Sequence, residues 1–152
     1  MEKIIFLDFD GVLNTEYYQN LLYLEGKALQ DEYGSYFDPE AVKQLKRIVD
    51  ATRADIVVES SWKYLGFEAM REMWEEREMP GSVINITPTV DNNKGMEIAS
   101  WLSANTTEGT KYVIIDDEYV ILDPQQPHFI LTNPYDGITE ELADRAISIL
   151  NN

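Results

Sequence analysis

Two aspartates that lie close together in the sequence follow the first apolar run of the chain. Asp8 and Asp10 come after the apolar residues 4–7, and Gly11 follows directly. Two carboxylates so close together cannot both be buried and ionised without a cation or a shared proton. This stretch therefore predicts either a metal-binding catalytic site or two solvated acids at the end of a strand.

Further polar residues follow later apolar runs or open a helical pattern. These residues are Ser60, Lys94, Asp116 and Asp117. Ligands of open parallel sheets bind at the carboxyl ends of the strands. If the apolar runs are parallel strands, we expect these side chains to meet the aspartates at one edge of the sheet.

The apolar runs alternate with helical patterns, which is typical of a parallel sheet with crossover helices. Helices are predicted after the cap residue Asp38, from Lys94 to Leu102, and after the cap residue Thr139. The chain is predicted to be an α/β three-layer sandwich with a central parallel sheet, forming one domain over residues 1–152. The predicted strands are residues 4–7, 56–58, 83–86, 112–115 and 129–131.

Composition restricts the function further. The chain has 152 residues, no cysteine, and 12 basic against 28 acidic residues, a formal net charge of −16. Thiol chemistry and zinc–thiolate sites are thereby excluded, and a broad nucleic-acid footprint is disfavoured because it needs Lys and Arg. No secretory signal or membrane span is evident, so we expect a cytoplasmic protein with no membrane partner.

The chain resembles the haloacid dehalogenase (HAD) superfamily of phosphohydrolases. Asp8, Asp10 and Val12 match the first family motif, DxDx(T/V). The Ser of the second motif, the Lys of the third and the acidic pair of the fourth follow in order, as Ser60, Lys94 and Asp116-Asp117. The resemblance extends from residue 4 to the last helix and implies the same fold.

The resemblance also implies roles for these residues. Asp8 is expected to attack phosphorus and form an aspartyl-phosphate, while Asp10 serves as general acid and base. Ser60, with Ser61 as the alternative, is expected to hold a phosphoryl oxygen, and Lys94 to offset charge between nucleophile and phosphoryl group.

A metal site and further substrate contacts are expected beside these groups. Oxygen ligands without His or Cys indicate Mg²⁺. Its predicted ligands are Asp8, Asp10, Asp117 and Asp116, with Asp117 favoured over Asp116 for direct contact. Gly11, Ser61 and Lys63 are expected to contact the phosphorylated substrate, and Trp62 and Trp101 to serve packing.

Several longer matches resemble a subgroup found in multidomain RNA-repair proteins. They are DFDGVLN, SSW followed by a basic residue, KGxEIxxWL and YVIIDD. Lys63 stands where that subgroup more often has arginine. The intervals at residues 15–53 and 62–93 leave no room for a full cap domain, so an open site with a minimal cap or none is expected.

The leading hypothesis is a Mg²⁺-dependent phosphomonoesterase that acts on phosphorylated nucleic-acid ends or another bulky substrate. A nucleic-acid end agrees with the subgroup likeness and is opposed by the acidic charge. The alternatives are a small-molecule phosphatase for nucleotides or sugar phosphates, a non-catalytic phosphate-binding module, and a two-metal nuclease, which would leave Ser60 and Lys94 unexplained. The sequence does not indicate the oligomeric state.

Overall fold

A computed structural model describes residues 2–152 of the chain. Its five strands form one parallel sheet in the order β3-β2-β1-β4-β5. The predicted strands are confirmed to within one residue at each end. They are β1 (Lys3–Leu7), β2 (Asp55–Val58), β3 (Val83–Ile86), β4 (Lys111–Asp116) and β5 (Phe129–Leu131).

Five α-helices connect or follow the strands. Asp38, Asn93 and Thr139 each accept a hydrogen bond at a helix start through the side chain, which satisfies a backbone N–H that has no partner within the helix. The helices are α1 (Glu16–Leu24), α2 (Pro39–Thr52), α3 (Phe67–Glu76), α4 (Lys94–Asn105) and α5 (Glu140–Asn151). Two short 3-10 helices, Ser61–Leu65 and Asp123–His128, complete the secondary structure.

Helices cover both faces of the sheet. Successive side chains of a strand point to opposite faces, so Ile5 and Leu7 pack in the cluster that contains residues of α2, α3 and α5. Ile4 and Phe6 instead pack in the cluster that contains Ile98 of α4. Both faces of β1 are therefore buried, which explains its unbroken apolar sequence. The fold is the predicted three-layer α/β sandwich.

The intervals that were predicted to be too short for a cap domain contain few elements of secondary structure. Residues 15–53 contain α1, a loop and α2. Residues 62–93 contain most of the first 3-10 helix, then α3 and β3. In residues 2–152, no helix combines the length and the apolar character needed to cross a membrane.

The strand order also determines where a ligand can bind. From β1 the chain adds β2 and β3 on one side, then crosses to add β4 and β5 on the other. The crossover connections therefore diverge beside β1, and in such sheets the crevice at the carboxyl ends of the strands is the usual ligand site. Asp8 follows β1 at this position.

Candidate active site

Three neighbouring strands deliver polar residues to the same edge of the sheet. The ladder continues past the strand ends, because the Asp8 N–H donates to the Ile115 carbonyl at 3.1 Å and the Glu59 N–H donates to the Leu7 carbonyl at 2.9 Å. The backbone around the first aspartate is thus fixed on both sides. Asp8 follows the central strand, Asp116 ends one neighbour, and Ser60 lies just beyond the other.

Three aspartates form a compact carboxylate cluster at this edge. One carboxylate oxygen from each of Asp8, Asp116 and Asp117 lies within 4.8 Å of the other two. Asp8 and Asp116 are buried. Backbone N–H groups hold both: that of Phe9 donates to Asp8 Oδ1 at 2.8 Å, and that of Glu118 to Asp116 Oδ1 at 2.9 Å.

Lys94 is the cation of this cluster. Its Nζ lies 2.9 Å from Asp116 Oδ2 and 3.4 Å from Asp8 Oδ2. Burial alone would lower the pKa of Lys94, but the carboxylates of Asp8 and Asp116 raise it above its ordinary value. The lysine therefore stays charged beside the first aspartate. Its role toward a phosphoryl group stays a prediction.

One ammonium does not compensate three carboxylates. Burial, and then the charge of Asp116, raise the pKa of Asp8 to about 8, although Lys94 opposes the shift. Burial and Asp116 also raise the pKa of Asp117. Further positive charge would keep these groups ionised at neutral pH.

This donor set fits a divalent cation. Three carboxylates without His or Cys are ligands that Mg²⁺ prefers, usually together with water. Asp8, Asp116 and Asp117 would hold the ion. Three ionised carboxylates so close together are stable only when a cation offsets their negative charge. Both members of the Asp116-Asp117 pair belong to the cluster.

Asp10 lies apart from the cluster. Its side chain is exposed, and its Oδ1 accepts hydrogen bonds from Asn14 Nδ2 at 2.8 Å and from Trp62 Nε1 at 3.2 Å. The carboxylate is thereby held outside the three-aspartate group. Its roles as acid/base and as metal ligand stay predictions.

Trp62 does more than the packing that was predicted for it. Its ring stacks against Phe37 at a centroid distance of 5.6 Å, and its indole N–H orients Asp10. The sequence feature that pointed to a role for Trp62 in the site was its position directly after the two serines in the SSW match. Trp101, by contrast, packs edge-on against Phe6 as expected.

The two candidate phosphate-binding serines differ in burial. Ser60 is buried, and its Oγ accepts a hydrogen bond at 3.2 Å from the Trp62 N–H, capping the first 3-10 helix. Ser61 is exposed. Both line the same cleft as Lys94. Their assignment to the phosphoryl group stays a prediction, with Ser60 on the β2 side of the nucleophile.

Lys63 belongs to a second polar cluster. Its Nζ lies 2.7 Å from Glu97 Oε1, 2.9 Å from Thr87 Oγ1 and 3.5 Å from Glu59 Oε2. Thr87 also donates to Glu59. The substrate contact predicted for Lys63 remains untested, and in this structure protein acceptors surround its ammonium group.

Glu59 departs from the phosphohydrolase pattern, because a carboxylate beside a phosphate is repulsive. Burial is the main cause that raises its pKa to about 7, and Glu97 adds to the shift. In Glu97, burial raises the pKa, but the hydrogen bonds from Lys63, Glu59 and the Val90 N–H, together with the charge of Lys63, lower it below its ordinary value. Below about pH 7, Glu59 is therefore the member of this pair that carries the proton, which reduces its repulsion of an anion.

Two clefts flank the aspartate cluster. The larger, of about 780 Å³, is reached by Ser60 and Lys94. The smaller, of about 370 Å³, is lined by Asp10, Gly11 and Asp117 among others. Ser60, Ser61 and Lys94 thus line one cleft, and Asp10 and Gly11 line the other. The two clefts meet at the first 3-10 helix, where the indole N–H of Trp62 donates to Asp10.

Comparisons with known proteins agree with this geometry. Residues 4–143 match the family model described as "HAD domain in Swiss Army Knife RNA repair proteins". Comparison with curated proteins and with solved structures gives no significant match. Membership of the HAD superfamily indicates an activity of the hydrolase or phosphatase type. The chain belongs to the family of HAD domains found in Swiss Army Knife RNA repair proteins.

Proposed function

We propose that the protein hydrolyses phosphomonoesters with Asp8 as nucleophile. The observation that carries the proposal is the convergence of Asp8, Lys94 and the Asp116-Asp117 pair at the crevice beside the central strand. Family membership supports a phosphohydrolase. A non-catalytic phosphate-binding module would not need a nucleophile and an acid/base of this kind.

The reaction has two displacements. An Asp8 carboxylate oxygen attacks phosphorus, the bond from phosphorus to the leaving oxygen breaks, and Asp10 gives its proton to that oxygen. Asp10 then takes a proton from water, whose oxygen attacks phosphorus, and the bond to Asp8 breaks. Inorganic phosphate leaves, and both aspartates return to their starting states.

The remaining groups position the phosphoryl group and stabilise its charge. Lys94 reduces repulsion between Asp8 and the phosphoryl oxygens, while Ser60 donates a hydrogen bond to one of them. Asp8, Asp116 and Asp117 would hold Mg²⁺, which would supply further positive charge to the site. These contributions are electrostatic and leave the covalent chemistry to Asp8.

For the substrate, we favour a phosphorylated nucleic-acid end or another bulky phosphomonoester. The RNA-repair context in the family description and the absence of a cap between the described motifs support this choice. The net charge of −16 opposes it. A small-molecule phosphatase is the second candidate, and the volume of the larger cleft favours it.

The chemistry is tested with an aryl phosphate and Mg²⁺. The Asp8→Asn variant should lose activity by about 10³-fold or more, because an amide cannot form the phosphoenzyme. The control is Asp123→Asn, at an exposed aspartate in the second 3-10 helix. Acid quenching of the wild type with labelled substrate should trap a phosphoenzyme that Asp8→Asn lacks. Retention of more than a few per cent of activity in Asp8→Asn contradicts the proposal.

Substrate size is tested separately. An open site should process a phosphorylated oligonucleotide at least as efficiently as the matching mononucleotide, because remote contacts contribute to orientation. Few basic side chains are available to release counterions, so the efficiency should depend only weakly on salt. A preference for the mononucleotide of about tenfold or more would replace the nucleic-acid end by a small-molecule substrate.

A further inference from the structure

The larger cleft extends directly from the groups proposed to hold the phosphate. One wall is the first 3-10 helix, with Tyr64, and the other is α4, with Ser100 and Ala104. Ser60 and Lys94 also line this cleft. Whatever is esterified to the phosphate can therefore enter this space. Its volume of about 780 Å³ lies within the range of small-molecule sites.

The charges along this cleft are already matched by protein partners. The lining contains two cations, Lys63 and Lys94, and two carboxylates, Glu59 and Glu97. Lys63 pairs with the two glutamates, and Lys94 pairs with the aspartate cluster. Among the lining residues, none offers an unpaired cation to a second phosphate. The occupant is thus expected to be uncharged beyond the phosphate that reacts.

The other lining side chains suit a flat ring with polar edges. The Tyr64 side chain lies at the cleft with 82% of the residue exposed, so its ring is free to stack. Apolar side chains and neutral amide or hydroxyl groups share the remaining surface, the latter including Asn92, Ser100 and Asn105. A nucleobase has this combination of an apolar face and hydrogen-bonding edges.

The smaller cleft is a poorer place for such a group. Asp10, Glu16 and Asp117 line it, and its volume is about 370 Å³. Its lining contains no Lys or Arg, so an anionic nucleotide would meet only negative charge there. The smaller cleft therefore repels the phosphate of a nucleotide, whereas Ser60 and Lys94 lead from the proposed phosphate position into the larger cleft.

We propose that the larger cleft binds the nucleoside of the phosphorylated substrate and that Tyr64 stacks on its base. This inference deepens the proposed function and rests on it for the position of the phosphate. It makes Tyr64 a specificity-determining residue outside the reacting centre. Adjacent phosphates of an oligonucleotide would lie beyond the cleft.

The test compares adenosine 5′-monophosphate with ribose 5-phosphate, which lacks the base. The wild type should prefer the nucleotide by about tenfold or more in kcat/KM. Tyr64→Ala should remove about tenfold for the nucleotide, chiefly through KM, and change ribose 5-phosphate by less than twofold. Tyr64→Phe should keep the preference, because the ring is retained. The matched control is Tyr23→Ala, because Tyr23 is also exposed but lies on α1, outside the lining of the larger cleft.

A second variant fills the cleft from the opposite wall. Ala104 is exposed on α4, so Ala104→Trp can add a bulky ring there without entering the core. This variant should lose the preference for the nucleotide and keep its activity on ribose 5-phosphate. If both Tyr64→Ala and Ala104→Trp keep the wild-type ratio of the two substrates, the inference is wrong.

A binding measurement separates this inference from the proposed reaction. The dissociation constant of adenosine 5′-monophosphate is measured by calorimetry with Mg²⁺ in Asp8→Asn, with and without Tyr64→Ala, so that the nucleotide is not hydrolysed during the measurement. Weakening of about tenfold in Tyr64→Ala supports the cleft assignment even if the wild type hydrolyses none of the esters, in which case only the proposed function fails. Equal affinity in the two proteins overturns the cleft assignment even if hydrolysis is observed.

Discussion

Gly11 lies directly against the carboxylate of Asp117. A Cβ placed on Gly11 would be 2.7 Å from Cγ of Asp117 and closer still to its Oδ2. The backbone of Gly11 also has a φ of 77°, a conformation that glycine adopts readily and other residues rarely do. The loop after the first aspartates therefore positions the fourth-motif acid, and only glycine permits this contact.

Gly11→Ala should disrupt the aspartate cluster. The new methyl group would displace Asp117, so the rise in Tm produced by Mg²⁺ should shrink and kcat/KM should fall by about tenfold or more. The control is Gly26→Ala, because Gly26 has a similar φ of 68° and no neighbouring atom within 4 Å of a Cβ. Both variants should lose about 1–2 kcal/mol of stability from backbone strain. An equal Mg²⁺ response in the two variants would contradict this role of Gly11.

Asp10→Asn should be distinguishable from loss of the nucleophile. Without an acid/base, kcat for a poor leaving group should fall by about 10²-fold or more. An aryl phosphate with an activated leaving group needs little protonation, so phosphoenzyme formation should recover in part. Rapid quench separates the two steps. If poor and activated leaving groups lose activity equally, the carboxylate of Asp10 does not act as the acid.

Mg²⁺ should stabilise the folded protein, because the aspartate cluster exists only in the native state. The Tm measured by differential scanning fluorimetry should rise with Mg²⁺ concentration above the dissociation constant. Asp117→Ala should abolish the rise. Glu118→Ala, at the next and exposed acidic residue, should keep it. An undiminished rise in Asp117→Ala would place the binding site elsewhere.

Strand ends and their polar residues were predictable from the sequence. A run such as residues 4–7 is apolar throughout, so it indicates a strand buried on both faces, and parallel strands bring their carboxyl ends to one edge. Asp8, Asp116 and Asp117 therefore meet as expected. The same reasoning placed Lys94 at the start of a helix, from where it reaches the first aspartate.

Side-chain partners across long intervals were not predictable. Trp62 donates to Asp10 only because the 3-10 helix after β2 packs over the loop after β1, and no local pattern encodes that approach. Likewise, Lys63 meets Glu97 because α4 lies beside the end of β2. A lysine after two serines is compatible with a phosphate ligand and with an ion-pair partner. Packing decides between these roles, and sequence spacing does not.

Burial of the Glu59–Glu97 pair makes the free energy of unfolding depend on pH. An unfolded glutamate loses its proton near the ordinary value of 4.5, whereas burial raises the pKa of Glu59 in the folded protein to about 7. Between these values the native state binds more protons than the unfolded state. The free energy of unfolding therefore decreases as pH rises from about 4.5 to about 7, and the Glu59 contribution is constant above that range.

Glu59→Gln should remove this dependence. A glutamine cannot ionise, so the variant should gain stability relative to the wild type as pH rises through that window, by at most about 3 kcal/mol. Urea unfolding at several pH values between 4.5 and 8, with EDTA present, measures the difference. Glu108→Gln, at an exposed loop position, should differ from the wild type by the same amount at every pH. The Lys63–Glu97 ion pair persists in Glu59→Gln, so a large loss of stability at all pH values would instead mean that the ionised Glu59 is needed to hold Lys63. A difference between Glu59→Gln and the wild type that stays constant from pH 4.5 to 8 would show that Glu59 does not carry the proton of the pair.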